Sequence, residues 1–199
     1  DATNHVHIEK IDGKAANCTE TGLTEGEKCT DCGATIKAQE EIPAKGHDCS
    51  GETPNFCVSC EKTLSVDEII AETKALGNNE SLNGTYQLTG VITSIPYAFS
   101  NGSLSINIMV EGETLSLEYY CYKLEGDNAE LLEVGNTVTI KGSITNYYNA
   151  NKGTNTIEFV DCTIVAATLN EYEVSLEVVG ETNGQVVGMP SSAITRGES

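Results

Sequence analysis

Cysteine and histidine are concentrated at the beginning of the chain, where their spacing could build metal sites. All three histidines and six of the eight cysteines fall within the first 60 of the 199 residues. They are His5, His7, His47, Cys18, Cys29, Cys32, Cys49, Cys57 and Cys60. Four of the cysteines form the Cys-x2-Cys pairs Cys29–Cys32 and Cys57–Cys60, a spacing typical of tetrahedral zinc sites. Gly33 directly follows the first pair, where a residue without a Cβ lets the backbone turn tightly around a metal.

A disulfide framework is the alternative, because six is an even number of thiols. Cys-x2-Cys units are awkward as structural disulfides and natural as metal-binding turns. The same segment contains every histidine and few large apolar residues, so it needs a bound metal or disulfides to stabilise its fold. Histidines are zinc ligands and play no part in disulfides, so their presence favours metal over disulfides. We therefore predict structural zinc, as one or two ions.

Three ligand arrangements fit the order of these residues. The first has two sites, one formed by Cys18, Cys29 and Cys32 with His5 or His7, the other by His47, Cys49, Cys57 and Cys60. The second is a single ribbon site built from both Cys-x2-Cys pairs. The third gives His47 to the first site, because it follows Cys32 by only 15 residues. Sites with four protein ligands leave no position for a substrate, so each would be structural.

Segments 16–22, 29–33 and 42–47 read ANCTETG, CTDCG and IPAKGH. In order and spacing they resemble a repeat of bacterial surface proteins, A-T-C-T-x-x-G, C-x-x-C-G, I-P-A-x-G-H, common in extracellular proteins of Gram-positive gut anaerobes. The resemblance covers about residues 5–60 and implies a secreted or cell-surface location. The second copy departs from the pattern, since only seven residues separate Cys49 from Cys57 and the I-P-A-x-G-H ending is missing.

Charge and hydropathy restrict the partners of the chain. The net charge is −19, and residues 1–62 carry 12 acidic residues against six lysines. This balance speaks against nucleic acid, whose phosphates require a basic surface. No apolar run approaches the length of a membrane-spanning helix, so we expect no membrane insertion. The chain begins at Asp1 without a Met or a signal peptide, as expected of a processed or cropped secreted chain.

One helix and five strands are predicted to follow the cysteine-rich segment. Ser65 and Glu68 form a capping box at the start of a helix that Gly77 is placed to end. Alternating or β-branched patterns predict strands at 86–95, 104–110, 115–121, 137–147 and 156–165. Glu111-Gly112-Glu113 is short enough to join the second and third strands as a hairpin, and Gly90 suggests a bulge or bend.

Five short, bent strands after a helix predict an OB-type barrel. Segments 88–95 (LTGVITSI) and 134–144 (VGNTVTIKGSI) resemble strands one and four of bacterial secreted OB-fold domains. The predicted fold is therefore mainly β, with three parts. These are a Cys/His metal-stapled module at 1–62, a five-stranded OB-type barrel with one N-terminal helix at 63–166, and a β-repeat remnant at 167–199. The last part resembles the opening of a β-rich surface repeat, which implies neighbouring domains in a longer chain.

An OB fold binds ligands on the face of strands two and three and on the flanking loops. Six aromatic residues are predicted there: Tyr97, Phe99, Tyr120, Tyr122, Tyr147 and Tyr148. They could form a platform for an extracellular glycan or protein, or simply cap the barrel. Stacked bases would need a cationic groove, but residues 63–166 contain four lysines, no arginine and 13 acids.

No convergent set of acid, base and nucleophile is visible, so the sequence does not predict an enzyme. Cys121 and Cys162 have no histidine between residues 63 and 166 to act as a base. We expect both to be buried, with a disulfide between them as the alternative. The predicted function is a non-catalytic, ligand-binding segment of an extracellular bacterial surface protein. The alternatives are a structural spacer and, least favoured by charge, an OB-type nucleic-acid binder.

Overall fold

Short strands linked by turns form the part of the chain before the helix. The computed structural model describes residues 5–172 and 194–195. The first eight strands are β1 (Ile8–Ile11), β2 (Gly22–Leu23), β3 (Gly26–Cys29), β4 (Thr35–Lys37), β5 (Glu41–Ile42), β6 (Asp48–Cys49), β7 (Phe56–Cys57) and β8 (Lys62–Thr63). β3 lies between β1 and β4 in one sheet, while β2 pairs with β5 and β7 with β8. This segment contributes few apolar side chains to the core, as its composition predicts.

A single α-helix, α1 (Val66–Ala75), connects this segment to the barrel. The predicted capping box is present, with the Ser65 hydroxyl accepting a hydrogen bond from the Glu68 N–H while the Glu68 carboxylate accepts one from the Ser65 N–H. Ile69 and Ile70 are fully buried, so one face of α1 packs on the core. On its first turn, the Asp67 carboxylate accepts hydrogen bonds from Thr114 and Leu115 and thereby holds α1 against a barrel hairpin.

Five long strands close into a barrel, which confirms the prediction of a mainly β chain with one helix and five principal strands. After the short β9 (Asn83–Gly84), they are β10 (Tyr86–Ser100), β11 (Ser103–Glu111), β12 (Ser116–Leu124), β13 (Thr137–Asn149) and β14 (Thr154–Thr168). The order around the barrel is β10-β11-β12-β14-β13. All neighbours are antiparallel except β12 and β14, and a short 3-10 helix (Ala129–Leu131) lies between β12 and β13.

The barrel interior is filled by alternate residues of these strands. Tyr119 and Phe159 are fully buried, with ring centroids 5.4 Å apart. The Tyr119 hydroxyl donates to the hydroxyl of Thr73 on α1, so the buried phenol is satisfied by the helix that covers the barrel. Cys121 and Cys162 are buried free thiols, as expected from the apolar pattern around them.

Several barrel strands extend further than their sequence patterns predict, β10 and β13 among them. β10 runs to Ser100 and β13 to Asn149, so Tyr97, Phe99 and Tyr148 lie on strands and the prediction that they lie in loops is wrong, while Tyr147, the last residue of the predicted strand 137–147, lies within β13. The length of β10 is explained by the turn that follows it. Asn101 and Gly102 both have positive φ (51° and 86°), the conformation of a two-residue hairpin turn that lets both strands continue to their ends.

Near Gly90, β10 changes its pairing partner from β13 to β11. The irregularity in its register lies after Gly90. Residues of β10 up to Val91 pair with β13, and those from Val91 onward pair with β11. The shift in register falls between Ile92 and Ser94. A Cβ at position 90 would lie 2.6 Å from the carbonyl oxygen of Met109, so the close approach of β11 accounts for the glycine.

At the C-terminal end, β15 (Glu171–Tyr172) pairs with β16 (Ile194–Thr195). Most of the predicted β-repeat remnant at 167–199 lies outside the described residues. Among the described residues, no helix combines the length and apolar character needed to cross a bilayer.

Candidate metal centres and a candidate binding groove

Two groups of Cys and His side chains near the N-terminus could hold metal ions. The Cys29 cluster contains His5, Cys29 and Cys32, and the Cys18 cluster contains Cys18, Cys57 and Cys60. Within each cluster the candidate ligand atoms all lie within 4.8 Å of one another. Thiol and imidazole donors suit zinc in type, and each cluster supplies three of the four ligands of a tetrahedral site.

The Cys29 cluster is built on the turn that follows β3. Gly33 has φ +72° and its N–H donates to the carbonyl of Cys29 at 2.9 Å, which folds the Cys-x2-Cys segment back on itself. His5 reaches this turn from the irregular segment before β1, and its Nδ1 lies 3.5 Å from the sulfur of Cys32. The predicted role of Gly33 in a tight turn therefore agrees with its backbone conformation.

The Cys18 cluster joins residues that are distant in the chain. The sulfurs of Cys18 and Cys57 lie 3.9 Å apart, and Cys60 completes the group. Glu61 follows this second Cys-x2-Cys pair with φ +53°, so it adopts the left-handed conformation that Gly33 adopts in the first. The two pairs thus make similar turns although only one of them ends in glycine.

Hydrogen bonds within the two turns favour thiolates. The backbone at Cys32 is the largest influence on Cys29 and helps lower the pKa of that thiol to about 7. Burial raises the pKa of Cys57, but hydrogen bonds from Asp48 and Cys60 outweigh it and bring the value to about 7. The hydrogen bond to Cys57 raises the pKa of Cys60 to about 12. The lowered pKa of Cys29 and of Cys57 favours the thiolate at one position in each cluster, and thiolate is the form that binds a metal.

The structure groups the nine predicted metal ligands differently from the three arrangements predicted from the sequence. Cys18 lies with Cys57 and Cys60, whereas the repeat order groups it with Cys29 and Cys32. The two Cys-x2-Cys pairs are in separate clusters, which does not match a single ribbon site. The remaining three candidates, His7, His47 and Cys49, stand outside both clusters.

These three residues have other neighbours. The exposed His7 ring lies against the carboxylate of Asp31, with Nδ1 2.8 Å from the oxygen. Cys49 is fully buried, and its thiol lies near the Tyr86 hydroxyl, which donates to the carbonyl of Asn83. The buried His47 ring makes a short hydrogen bond through Nδ1 to the carboxylate of Glu72 on α1. Sequence reasoning missed Glu72, since nothing in a helical pattern marks one acid as a partner for a distant histidine.

A groove of about 650 Å³ lies on the outer surface of the barrel. Four of the six predicted ligand-binding aromatics line it, namely Tyr97, Tyr120, Tyr122 and Tyr147. They come from β10, β12 and β13, so closing the barrel brings them together. Phe99 and Tyr148 are not among the lining residues. The volume lies within the range of small-ligand sites, roughly 300–1,000 Å³.

Polar groups that the sequence did not single out complete the groove. Ser100, Ser103 and Ser105 are among the lining residues, and Glu158 of β14 pairs directly with Tyr120 of β12. Burial raises the pKa of the Glu158 carboxyl. The ammonium of Lys123 lies 5.2 Å from the centre of the Tyr122 ring. Among the described lining residues there is one carboxylate and one cation, so the groove presents aromatic and hydroxyl surface with little net charge.

Comparison with known proteins finds no family model and no curated protein that matches this chain. The function must therefore be inferred from the two clusters, the groove and the resemblances of the sequence.

Proposed function

We propose that the chain is a non-catalytic binding segment of a secreted or cell-surface bacterial protein. In this proposal structural zinc staples the N-terminal module, and an OB-type barrel presents the aromatic groove to an extracellular glycan. The groove carries the proposal, because four tyrosines from three separate strands converge on one surface. An arrangement that only capped the barrel would not require them to share a cavity.

The strand order supports the assignment to the OB type. The first three barrel strands are sequential neighbours, and the fifth lies between the third and fourth. The groove lies across the second and third strands, where OB folds bind their ligands. The resemblance of the N-terminal repeat to surface proteins of gut anaerobes supports the extracellular location.

A glycan suits the chemistry of the groove better than a nucleic acid. The rings of Tyr97, Tyr122 and Tyr147 are 44–67% exposed and can stack on the apolar faces of sugars. The serine hydroxyls and the Glu158 carboxylate offer hydrogen-bond partners for sugar hydroxyls. A bound strand of nucleic acid would need several cations along its backbone, and Lys123 is the one cation among the described lining residues.

Binding to a glycan array, followed by calorimetry on any sugar that binds, tests the proposal. We expect Tyr147→Ala and Tyr122→Ala to weaken binding by at least about tenfold, which corresponds to about 1.4 kcal/mol. Tyr148→Ala is a matched control, because this neighbouring tyrosine on β13 lies outside the groove lining. Equal losses in all three variants, or no glycan bound at all, would count against the groove.

Capture of a protein ligand that depends on Tyr147 would keep the groove but replace the glycan. A chain that binds neither class, and whose stability is unchanged by the tyrosine substitutions, would act as a spacer. Affinity for single-stranded nucleic acid that falls steeply with salt would identify the third alternative.

A further inference from the structure

The Cys18 cluster contains three thiols, whereas a sealed tetrahedral zinc site has four protein ligands. We propose that His47 supplies the fourth ligand through Nε2. Glu72 of α1 is the positioning residue that orients the His47 ring by accepting the hydrogen bond from Nδ1. This inference rests on metal binding at the cluster, which is part of the proposed function.

Backbone hydrogen bonds hold His47 beside both halves of the cluster. On one side, the N–H of Gly46 donates to the carbonyl of Cys18 at 3.0 Å. On the other, the N–H of Val58 donates to the carbonyl of Asp48 at 2.8 Å. His47 therefore lies between a residue fixed to Cys18 and a residue fixed to the turn that carries Cys57. No other histidine in the described residues is connected to this cluster by its neighbours.

The environment of the His47 ring is that of a metal ligand. Its side chain is only 4% exposed, and Nδ1 is bonded to the Glu72 carboxylate. A histidine that binds a metal almost always donates its other ring N–H to a carboxylate, a carbonyl or water, which fixes the tautomer. Here Nδ1 is occupied by Glu72, so Nε2 is the nitrogen left to face a metal.

His47 stands outside the set of atoms that already lie within 4.8 Å of one another. Metal binding must therefore draw Nε2 toward the three sulfurs while the contact between Nδ1 and Glu72 acts as a pivot. The ring is already buried and oriented by Glu72 before any metal binds.

Cys49 is the competing fourth ligand, and its surroundings argue against it. Its thiol lies near the Tyr86 hydroxyl, in the apolar core that also contains Leu64 and Ile70. Ligation by Cys49 would break the contact with Tyr86. Ligation by His47 preserves both the Tyr86 contact and the Glu72 hydrogen bond.

The assignment gives the metal a second role. Glu72 belongs to the helix that packs on the barrel, so a metal bound by His47 is linked through one hydrogen bond to α1. Cys18, the Cys57–Cys60 turn and the barrel helix would then be held by one ion. Metal loading should stabilise the junction of the two parts as well as the N-terminal module.

Cobalt(II) titration of the full chain tests the inference, with visible absorption reporting the ligand field. Cys32→Ser is introduced in every sample, so that the Cys18 cluster is the site being read. We expect His47→Ala to weaken cobalt binding at this cluster more than tenfold and to alter its spectrum. Glu72→Gln should weaken binding about 10–100-fold, the usual effect of removing a carboxylate behind a ligating histidine. Cys49→Ala should leave both the spectrum and the affinity within about twofold of the parent.

NMR of the chain loaded with cadmium gives a direct readout that a purely structural role would not produce. Scalar coupling between the metal and Nε2 of His47 is the expected result, and Glu72→Gln should change the His47 tautomer signals without unfolding the chain. Cobalt binding that is lost in Cys49→Ala and kept in His47→Ala would overturn the ligand assignment alone. A chain that binds no cobalt at all would overturn both this inference and the metal-stapled module of the proposed function.

Discussion

The sulfur atoms of Cys18 and Cys57 lie 3.9 Å apart, although 39 residues separate them in the chain. Two thiolates bound to one zinc at about 2.3 Å with tetrahedral angles are about 3.8 Å apart. The pair therefore has the separation of two ligands of the same ion. Their burial differs, since Cys57 is fully buried and Cys18 is partly exposed.

Replacing Cys18 with serine should empty one of the two clusters. We expect Cys18→Ser to reduce the zinc content from about two ions to about one per chain, because the two remaining thiols hold zinc poorly even with His47 as a third ligand. Elemental analysis of protein purified without added metal measures this. Cys162→Ala is the control, since it removes a buried thiol from outside both clusters and should leave two ions. A Cys18→Ser chain that keeps two ions would contradict the grouping.

Local features of this fold could be predicted from the sequence. The capping box of Ser65 and Glu68 depends on residues three positions apart, and it is present as predicted. The alternation of Tyr119 and Tyr120 between the interior and the groove follows from the period of a strand. The same period could have separated Tyr147 from Tyr148, because Ile144 and Asn146 are buried and Tyr148 shares their face.

The grouping of the cysteines could not be predicted in the same way. The order of the repeat suggests that ligands close in sequence share a site, and the Cys29 cluster partly follows that rule. Cys18 does not, because the pairing of β2 with β5 and the hydrogen bond from Gly46 to Cys18 turn this residue toward the second Cys-x2-Cys pair. Such contacts are decided by packing over long sequence distances, which spacing alone does not encode.

His5 and His7 offer a matched pair of substitutions at the Cys29 cluster. His5 Nδ1 lies 3.5 Å from the Cys32 sulfur, whereas His7 Nδ1 contacts the exposed carboxylate of Asp31. We expect His5→Ala to weaken cobalt binding at this cluster at least tenfold, since a ligand matters at least as much as the groups behind it. His7→Ala should change it by less than about twofold. The reverse order of effects would assign the ligand to His7.

The Asp67 carboxylate links stability to pH. Burial raises its pKa, but hydrogen bonds from Leu115 and Thr114 outweigh burial and lower it below its usual value of 3.8. A group with a lowered folded pKa contributes stability above its unfolded pKa and loses it as the pH falls through the folded value. Asp67→Asn should therefore be less stable than the parent at pH 7, and the difference should shrink below about pH 4.

Urea unfolding of both chains between pH 2 and pH 7 measures this difference, with a chelator present throughout so that the metal content stays constant. Glu113→Gln is the control, because this exposed acid lies on the same hairpin turn. A difference for Asp67→Asn that stays constant over the whole range would mean that the charge of the carboxylate does not matter.

Gly84 should be the least replaceable glycine at the junction of the module and the barrel. Its φ is +113°, and a Cβ there would lie 2.0 Å from the carbonyl carbon of Cys49, where β6 and β9 run side by side. Because the obstacle is backbone, Gly84→Ala must separate the two strands. Gly153 also has a positive φ (+64°), but nothing lies within 4 Å of the position of its Cβ.

Gly153→Ala should therefore cost only the conformational term, about 1–2 kcal/mol of unfolding free energy, and Gly84→Ala should cost more than that. Urea unfolding of the metal-loaded chains compares the two variants. Because Cys49 follows His47 by two residues, Gly84→Ala should also weaken cobalt binding at the Cys18 cluster while Gly153→Ala leaves it unchanged. Equal losses of unfolding free energy for the two substitutions would show that the strand carrying Cys49 moves to accommodate the Cβ. The junction would then not depend on this close approach.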